Sequence, residues 1–135
     1  MITNITTSRI RYGETDRMGY AYYGNYLLYY EIGRTELIRQ LGLTYKQLED
    51  SGVLLPVHSV SLRYLAPALY DDLISIKTMV KEIPAASITF EHEIFSGDGK
   101  LINTGNVKLV FVDASTRRPI RAPESFLERI QPYFI

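Results

Sequence analysis

The sequence contains no cysteine and no tryptophan. Without cysteine there is neither a disulfide framework nor a thiolate metal site. Fifteen basic residues balance fifteen acidic ones, for a formal net charge of zero. No general electrostatic pull toward nucleic acid or a membrane surface follows from such a balance. No apolar run approaches the roughly 18 residues of a membrane span. The opening MITNITTSRIRY lacks the basic-then-apolar order of a signal peptide. Only two histidines occur, His58 and His92, too far apart for a His-x-His or His-x-x-x-His metal pair. Nor is there a Gly-x-Gly-x-x-Gly run, a phosphate-binding loop or a Gly-x-Ser-x-Gly elbow. Dinucleotide, P-loop and serine-hydrolase chemistry are therefore disfavoured. The absence of cysteine is compatible with the cytoplasm, and 135 residues predict one domain, 1–135, with a sizeable core.

What the chain does have is tyrosine, eleven in all. Seven of them crowd the stretch from Arg11 to Gly42, among them Tyr20, Tyr22, Tyr23, Tyr26 and Tyr30. The first half of that stretch is a charged, turn-forming loop, and the second half reads as one long helix. Tyr26, Tyr30, Gly33, Leu37 and Leu41 recur at helical spacing on one face, which Leu27, Tyr29 and Ile38 widen to more than half the circumference. Such a helix is expected to be buried. Gly33 costs helix stability, so its presence mid-run predicts a close approach by another element. Gly42 is the expected stop. Counted from about Tyr23, the helix is expected to run roughly 30 Å.

The remaining chain alternates. Ser8–Tyr12 is a short strand candidate, and Thr44 is placed to cap a short helix through Glu49. Val53–Leu65 reads as a strand, with Pro56 marking an edge or a bulge. Leu73–Ile83 follows, with Ile74, Ile76, Thr78 and Val80 on one face. Ser87–Phe95 puts Ile88, Phe90, His92 and Ile94 on one side, and Ser96-Gly97-Asp98-Gly99 is a hairpin turn. Lys100–Asp113 is the last long strand, its pattern broken at Gly105, and Pro123 opens a C-terminal helix. This order predicts an α+β architecture: one buried helix against a curled antiparallel sheet of about five strands.

Chemistry concentrates in the loop before the helix. Glu14-Thr15-Asp16 places two carboxylates ahead of a helix N-terminus, whose free N–H groups favour anions. Capping is the default role for such a group. Asp16, however, lies seven residues before Tyr23, too far to cap a helix that starts there. A carboxylate folded back over a helix start supplies a base or nucleophile together with N–H donors for a carbonyl, the parts of acyl transfer. Glu14 is weighed as a solvated loop charge. His92 reads as a hydrogen-bonded core histidine. His58 stays open between that role and a place at a pocket mouth. Arg63 and the Arg117-Arg118 pair stay open between solvated surface and a phosphate-holding role.

The run Tyr12-Gly13-Glu14-Thr15-Asp16-Arg17-Met18-Gly19, then Tyr22-Tyr23-Gly24-Asn25-Tyr26, then Glu31-x-x-Arg34-Thr35-Glu36, resembles the signature of hot-dog fold acyl-CoA thioesterases. It is most similar to the 4-hydroxybenzoyl-CoA thioesterase-like branch. The likeness extends more weakly through Leu65-Ala66-Pro67, Asp71-Asp72 and Phe111-Val112-Asp113 to Arg118-Pro119. It implies that Asp16 is the catalytic carboxylate and that the Tyr23 N–H binds the thioester oxygen. Tyr22, Gly24, Asn25 and Tyr26, with His58, Arg63 and Arg118, are then candidate substrate contacts. Many members carry His where Tyr23 stands, which removes an imidazole here but leaves the backbone donor. Arg17-Met18 stands where small residues are usual. The resemblance further implies a homodimer joined edge to edge, or a homotetramer, acting on acyl-CoA or acyl-carrier-protein without metal or cofactor. A hot-dog dehydratase would need a histidine on the helix, and there is none. A non-catalytic acyl-binding protein would keep the apolar helix face but would have no need of Asp16 at its mouth.

Overall fold

The computed structural model describes residues 1–134. Strand β1 (Ile2–Arg9) leads through a single 3₁₀ turn at Tyr12–Glu14 into the carboxylate loop. A second 3₁₀ turn, Tyr23–Asn25, runs straight into helix α1 (Tyr26–Gln40), followed by the short helix α2 (Tyr45–Asp50). Then come β2 (Val53–Leu54), β3 (Val57–Tyr64), β4 (Leu73–Val80), β5 (Ser87–Phe95), β6 (Leu101–Val110), β7 (Val112–Asp113) and helix α3 (Glu124–Ile130), closed by a 3₁₀ turn at Gln131–Phe134. Five strands form one antiparallel sheet in the order β1-β4-β5-β6-β3, while β2 and β7 make a separate two-stranded ribbon. The sheet wraps α1 in the hot-dog fold.

The helix lies face-down on the sheet. Tyr26, Tyr30, Gly33, Leu37 and Leu41 are all buried, as are Tyr29 and Ile38 beside them. Opposite them β4 contributes Ile74, Ile76, Thr78 and Val80, and β5 contributes Ile88, Phe90, His92 and Ile94, every one at most 1% exposed. Period-two patterning on the strands and a 3.6-residue stripe on the helix thus meet in one core. The closest approach is at Gly33. A Cβ there would overlap Thr78 Oγ1 and stand 2.9 Å from Ile76 Cγ2. Gly105 serves the same purpose one layer away, where a Cβ would overlap the Tyr30 hydroxyl and come within 2.8 Å of the Ser61 carbonyl oxygen. Two bare backbones let the helix settle on the sheet.

His92 is a core histidine. Its Nδ1 lies 3.1 Å from Thr78 Oγ1, and its ring stacks on Tyr30 with centroids 4.3 Å apart. Burial, with the nearby Arg34 charge adding to it, pushes its pKa down to about 3. The Tyr30 hydroxyl in turn donates to Asn103 Oδ1, and Asn103 Nδ2 donates to the Arg63 carbonyl. Thr78, Tyr30 and Asn103 are thereby paired under the helix, while His92 Nε2 and Arg34 Nε are buried without a partner among the described residues.

Several boundaries differ from the sequence expectation. The first strand is Ile2–Arg9 rather than Ser8–Tyr12, because all eight residues pair in register with β4, from Ile2 opposite Val80 to Arg9 opposite Leu73. Ile10 is fully buried but has already left the strand. Helix α1 has 15 residues, about 22 Å at 1.5 Å per residue, since Tyr23–Asn25 is a 3₁₀ turn. Gly42, at φ +83, ends the helix as expected. Leu27 is not part of the buried face but 44% exposed. The stretch Val53–Leu65 splits at Leu55-Pro56, and β3 is the sheet edge, irregular between Val57 and Ser59. The last strand breaks at Phe111, not Gly105, because β7 leaves the sheet to pair with β2.

Gly33→Leu is expected to lower the melting temperature. Overpacking costs about 1–3 kcal/mol, and the gain in helix propensity returns no more than about 1 kcal/mol. Thermal unfolding followed by circular dichroism checks this; an unchanged midpoint contradicts the close helix–sheet contact.

Candidate active site

The carboxylate loop is a closed structure. Asp16 N–H donates to the Tyr20 carbonyl at 2.8 Å, and Gly19 N–H donates back to the Asp16 carbonyl at 3.0 Å. Gly19 makes the turn possible by adopting φ +76, a conformation that costs glycine little. The Asp16 side chain joins in. Its Oδ1 accepts from Met18 N–H at 2.9 Å and from Tyr20 N–H at 3.3 Å. Oδ2 has no hydrogen bond among the described residues. One oxygen orients the carboxylate and the other is left for chemistry.

Past the loop the chain crosses to the helix. Ala21 N–H donates to the Ala68 carbonyl at 2.8 Å, and Tyr22 N–H to the Glu14 carbonyl at 2.8 Å. Tyr23 then opens the 3₁₀ turn. The first N–H groups of such a turn have no partner within it, and those of Tyr23 and Gly24 have none elsewhere among the described residues. They continue into α1, so the positive end of its dipole stands at the same place.

Asp16 and Tyr23 line one cleft of about 420 Å³, with Met18, Tyr20, Tyr26 and Tyr64 around them and Leu65, Ala66 and Pro67 along one wall. The tyrosines are locked against one another. Tyr64 packs edge-on to Tyr26 at 5.1 Å and to Tyr23 at 6.5 Å. The Tyr64 hydroxyl donates to the Tyr23 carbonyl at 2.8 Å, and the Tyr26 hydroxyl accepts from Ala68 N–H at 3.3 Å. Burial raises the Tyr26 pKa, so its phenol is neutral. A carboxylate with one unbonded oxygen, the Tyr23 backbone donor and an apolar aromatic wall share one cleft, an arrangement able to hold a carbonyl beside a base.

The model of the thioesterase-like superfamily matches residues 10–130. The chain belongs to that superfamily. It is 32% identical over 117 residues to the Bacillus subtilis protein YneP, covering 87% of this chain and 85% of that one. It is 30% identical over 119 residues to the Escherichia coli acyl-CoA thioester hydrolase YbgC, covering 88% and 89%. A crystal structure of the DHNA-CoA thioesterase from Staphylococcus aureus superposes with a TM-score of 0.86 at 34% identity, over 99% of this chain and 87% of that one. Thioester hydrolysis is the activity this membership carries.

Within this thioesterase-family chain, not every residue singled out from the sequence meets at the cleft. Tyr22 flanks it, its ring 4.7 Å from that of Tyr23. Gly24 has its missing side chain facing the Tyr22 ring, 3.0 Å from where a Cβ would sit. Asn25 turns inward, its Nδ2 donating to the Glu14 carbonyl at 2.8 Å. His58 is exposed on β3. Arg63 lies on the outer sheet face beside Ser61 and Asn106, and Arg118 sits in the exposed loop after β7. Of the candidate contacts only Tyr26 is in the cleft lining: Tyr22, Gly24 and Asn25 lie beside it, and His58, Arg63 and Arg118 are elsewhere on the chain.

The sequence reading missed the wall formed by Tyr64 and the structural work of Glu14. Tyr64 is 41 residues from the backbone it bonds, and no local pattern reports a contact at that range. Glu14 is no solvated loop charge. Its side chain is 16% exposed and bonds Tyr29, 15 residues on.

Proposed function

We propose that this protein hydrolyses acyl-CoA thioesters, with Asp16 as the reacting carboxylate and the N–H groups of the Tyr23–Asn25 turn as the oxyanion site. The observation that carries the reading is the shared cleft: Asp16, with one carboxylate oxygen unbonded, and Tyr23, with its N–H unbonded among the described residues, line one space. As general base, Asp16 takes a proton from a water whose oxygen bonds to the thioester carbon. The carbonyl electron pair moves to oxygen, held by the backbone donors, and returns as the C–S bond breaks. Asp16 then passes its proton to the departing thiolate, leaving acid and free thiol. As nucleophile, Asp16 bonds the same carbon, expels the thiolate and leaves an acyl–aspartyl anhydride for water to open. Both routes use the same atoms.

The substrate class draws support from YbgC, named for acyl-CoA thioesters, and from the Staphylococcus aureus enzyme, named for DHNA-CoA. Among the described residues no helix is long and apolar enough to cross a membrane. We place the protein in the cytoplasm, where acyl-CoA is found, acting as a single domain. The working unit is a homodimer or homotetramer. Edge strand β3 exposes Val57, Val60 and Tyr64, and its one arginine or lysine is Arg63, a thin guard for a solitary edge, which is normally protected by charge. Light scattering at micromolar concentration is expected to give twice or four times the mass of one chain; a monomer contradicts the paired edge.

Thiol release from a panel of acyl-CoAs, with acyl-carrier-protein substrates alongside, is expected to find a good substrate. On that substrate Asp16→Asn is expected to lower kcat/KM by ~10²–10⁴-fold, the usual worth of a positioned acid–base group, with folding intact. A variant within a few-fold of native sinks the assignment of Asp16. Release from no substrate of either kind favours an acyl-binding protein.

A further inference from the structure

We propose that Glu14 and Tyr29 are positioning residues that hold the Asp16 loop at the start of α1, an inference that rests on Asp16 being the reacting carboxylate. Glu14 stands two residues before Asp16 and is bonded through almost every polar atom it has. Its Oε1 accepts from the Tyr29 hydroxyl at 2.7 Å. Its Oε2 accepts from Arg11 Nε at 2.6 Å. Its carbonyl accepts from Tyr22 N–H and from Asn25 Nδ2, both at 2.8 Å. Tyr22, Asn25 and Tyr29 all belong to the helix start or its first turn. A single residue of the loop therefore carries three tethers to the element that supplies the oxyanion donors.

The tethers are unequal. The Arg11 side chain is 82% exposed, so its ion pair is screened by water and holds little. Tyr29 is 2% exposed and cannot exchange Glu14 for solvent. Burial first, and then the bond to Glu14, raises the Tyr29 pKa, so its hydroxyl remains a donor. Partial burial opposes the charge on Glu14, but hydrogen bonds from Arg11 and Tyr29 outweigh it and hold the carboxyl below its usual range. A charged acceptor facing a buried neutral donor is a strong, directional bond. Downstream of Glu14, Thr15 and Ala21 form a single antiparallel bridge, and Asp16 follows at once. Asp16's own bonds close its turn onto Tyr20, and Glu14 ties that turn to the helix start that carries the Tyr23 N–H.

The test is kcat and KM on one acyl-CoA substrate for Glu14→Gln, Tyr29→Phe and the double variant, each also made in the Asp16→Asn background. Tyr29→Phe keeps the ring in the core and removes only the donor, so folding is preserved even where Glu14→Gln loosens the loop. Each single variant is expected to lower kcat by about 10–50-fold with KM within about three-fold, since small misplacements of a reacting group cost rates of that order. The double variant is expected to be no worse than the poorer single one, and in the Asp16→Asn background both changes are expected to become nearly silent, as for residues acting as a unit. Native kcat with a lowered melting temperature means the tether serves the fold alone. A loss undiminished in the Asp16→Asn background means Glu14 acts on the substrate itself. Either result overturns the proposal while leaving hydrolysis intact, whereas an Asp16→Asn variant at native rate overturns the catalytic reading beneath it.

Discussion

The close contact of α1 with the sheet at Gly33 is the constraint on which the rest depends. With no side chain there, the helix backbone rests against Thr78, Ile76 and His92, nearer than two layers of side chains would permit. Tyr30 can then stack on His92 and reach Asn103, and Leu37 and Ile38 pack without exposure. Once the helix is seated, its N-terminal turn is delivered to one end of the sheet. There Tyr64 of β3 and the segment Leu65–Pro67 wall the cleft. The proposed site therefore follows from packing: the fold fixes the start of α1 with its open N–H groups, and a loop carries Asp16 into the same cleft.

That loop uses its own polar groups economically. Asp16 spends one carboxylate oxygen on Met18 and Tyr20 N–H, which fixes its orientation and leaves the other oxygen free. Glu14 spends both oxygens and its carbonyl on neighbours. Two carboxylates two residues apart thus do different work because one is anchored to the helix and the other is anchored only to its own turn. The tyrosines divide similarly, Tyr29 and Tyr30 serving as buried donors and Tyr23, Tyr26 and Tyr64 as cleft wall.

Much of this was legible in the chain because the signals were local. The buried stripe from Tyr26 to Leu41, the Thr44 cap with its Gln47 partner, the β5 face from Ile88 to Ile94 and the Ser96–Gly99 turn all follow from spacing and turn chemistry. Asp16 stood out because it was too far ahead of the helix to cap it. What escaped was non-local. Strand β1 has weak alternation of its own and is extended by pairing with β4. Leu27 belongs to the apolar arc by spacing, yet it is left exposed. Gly105 looked like a strand break, but the Tyr30 hydroxyl fills the space its side chain would need. The bond from Tyr29 to Glu14 gave no signal, since a tyrosine on a buried face reads as apolar until its hydroxyl is placed.

The central claim is that a thioester carbonyl lies between Asp16 and the first turn ahead of α1. A crystal structure of the Asp16→Asn protein with a bound acyl-CoA tests it most directly. The account predicts the thioester oxygen within about 3 Å of the Tyr23 or Gly24 N–H, the acyl group against Tyr26 and Tyr64, and the carbonyl carbon beside residue 16. An acyl-CoA whose thioester lies away from that turn, with its oxygen met by other donors, would contradict it.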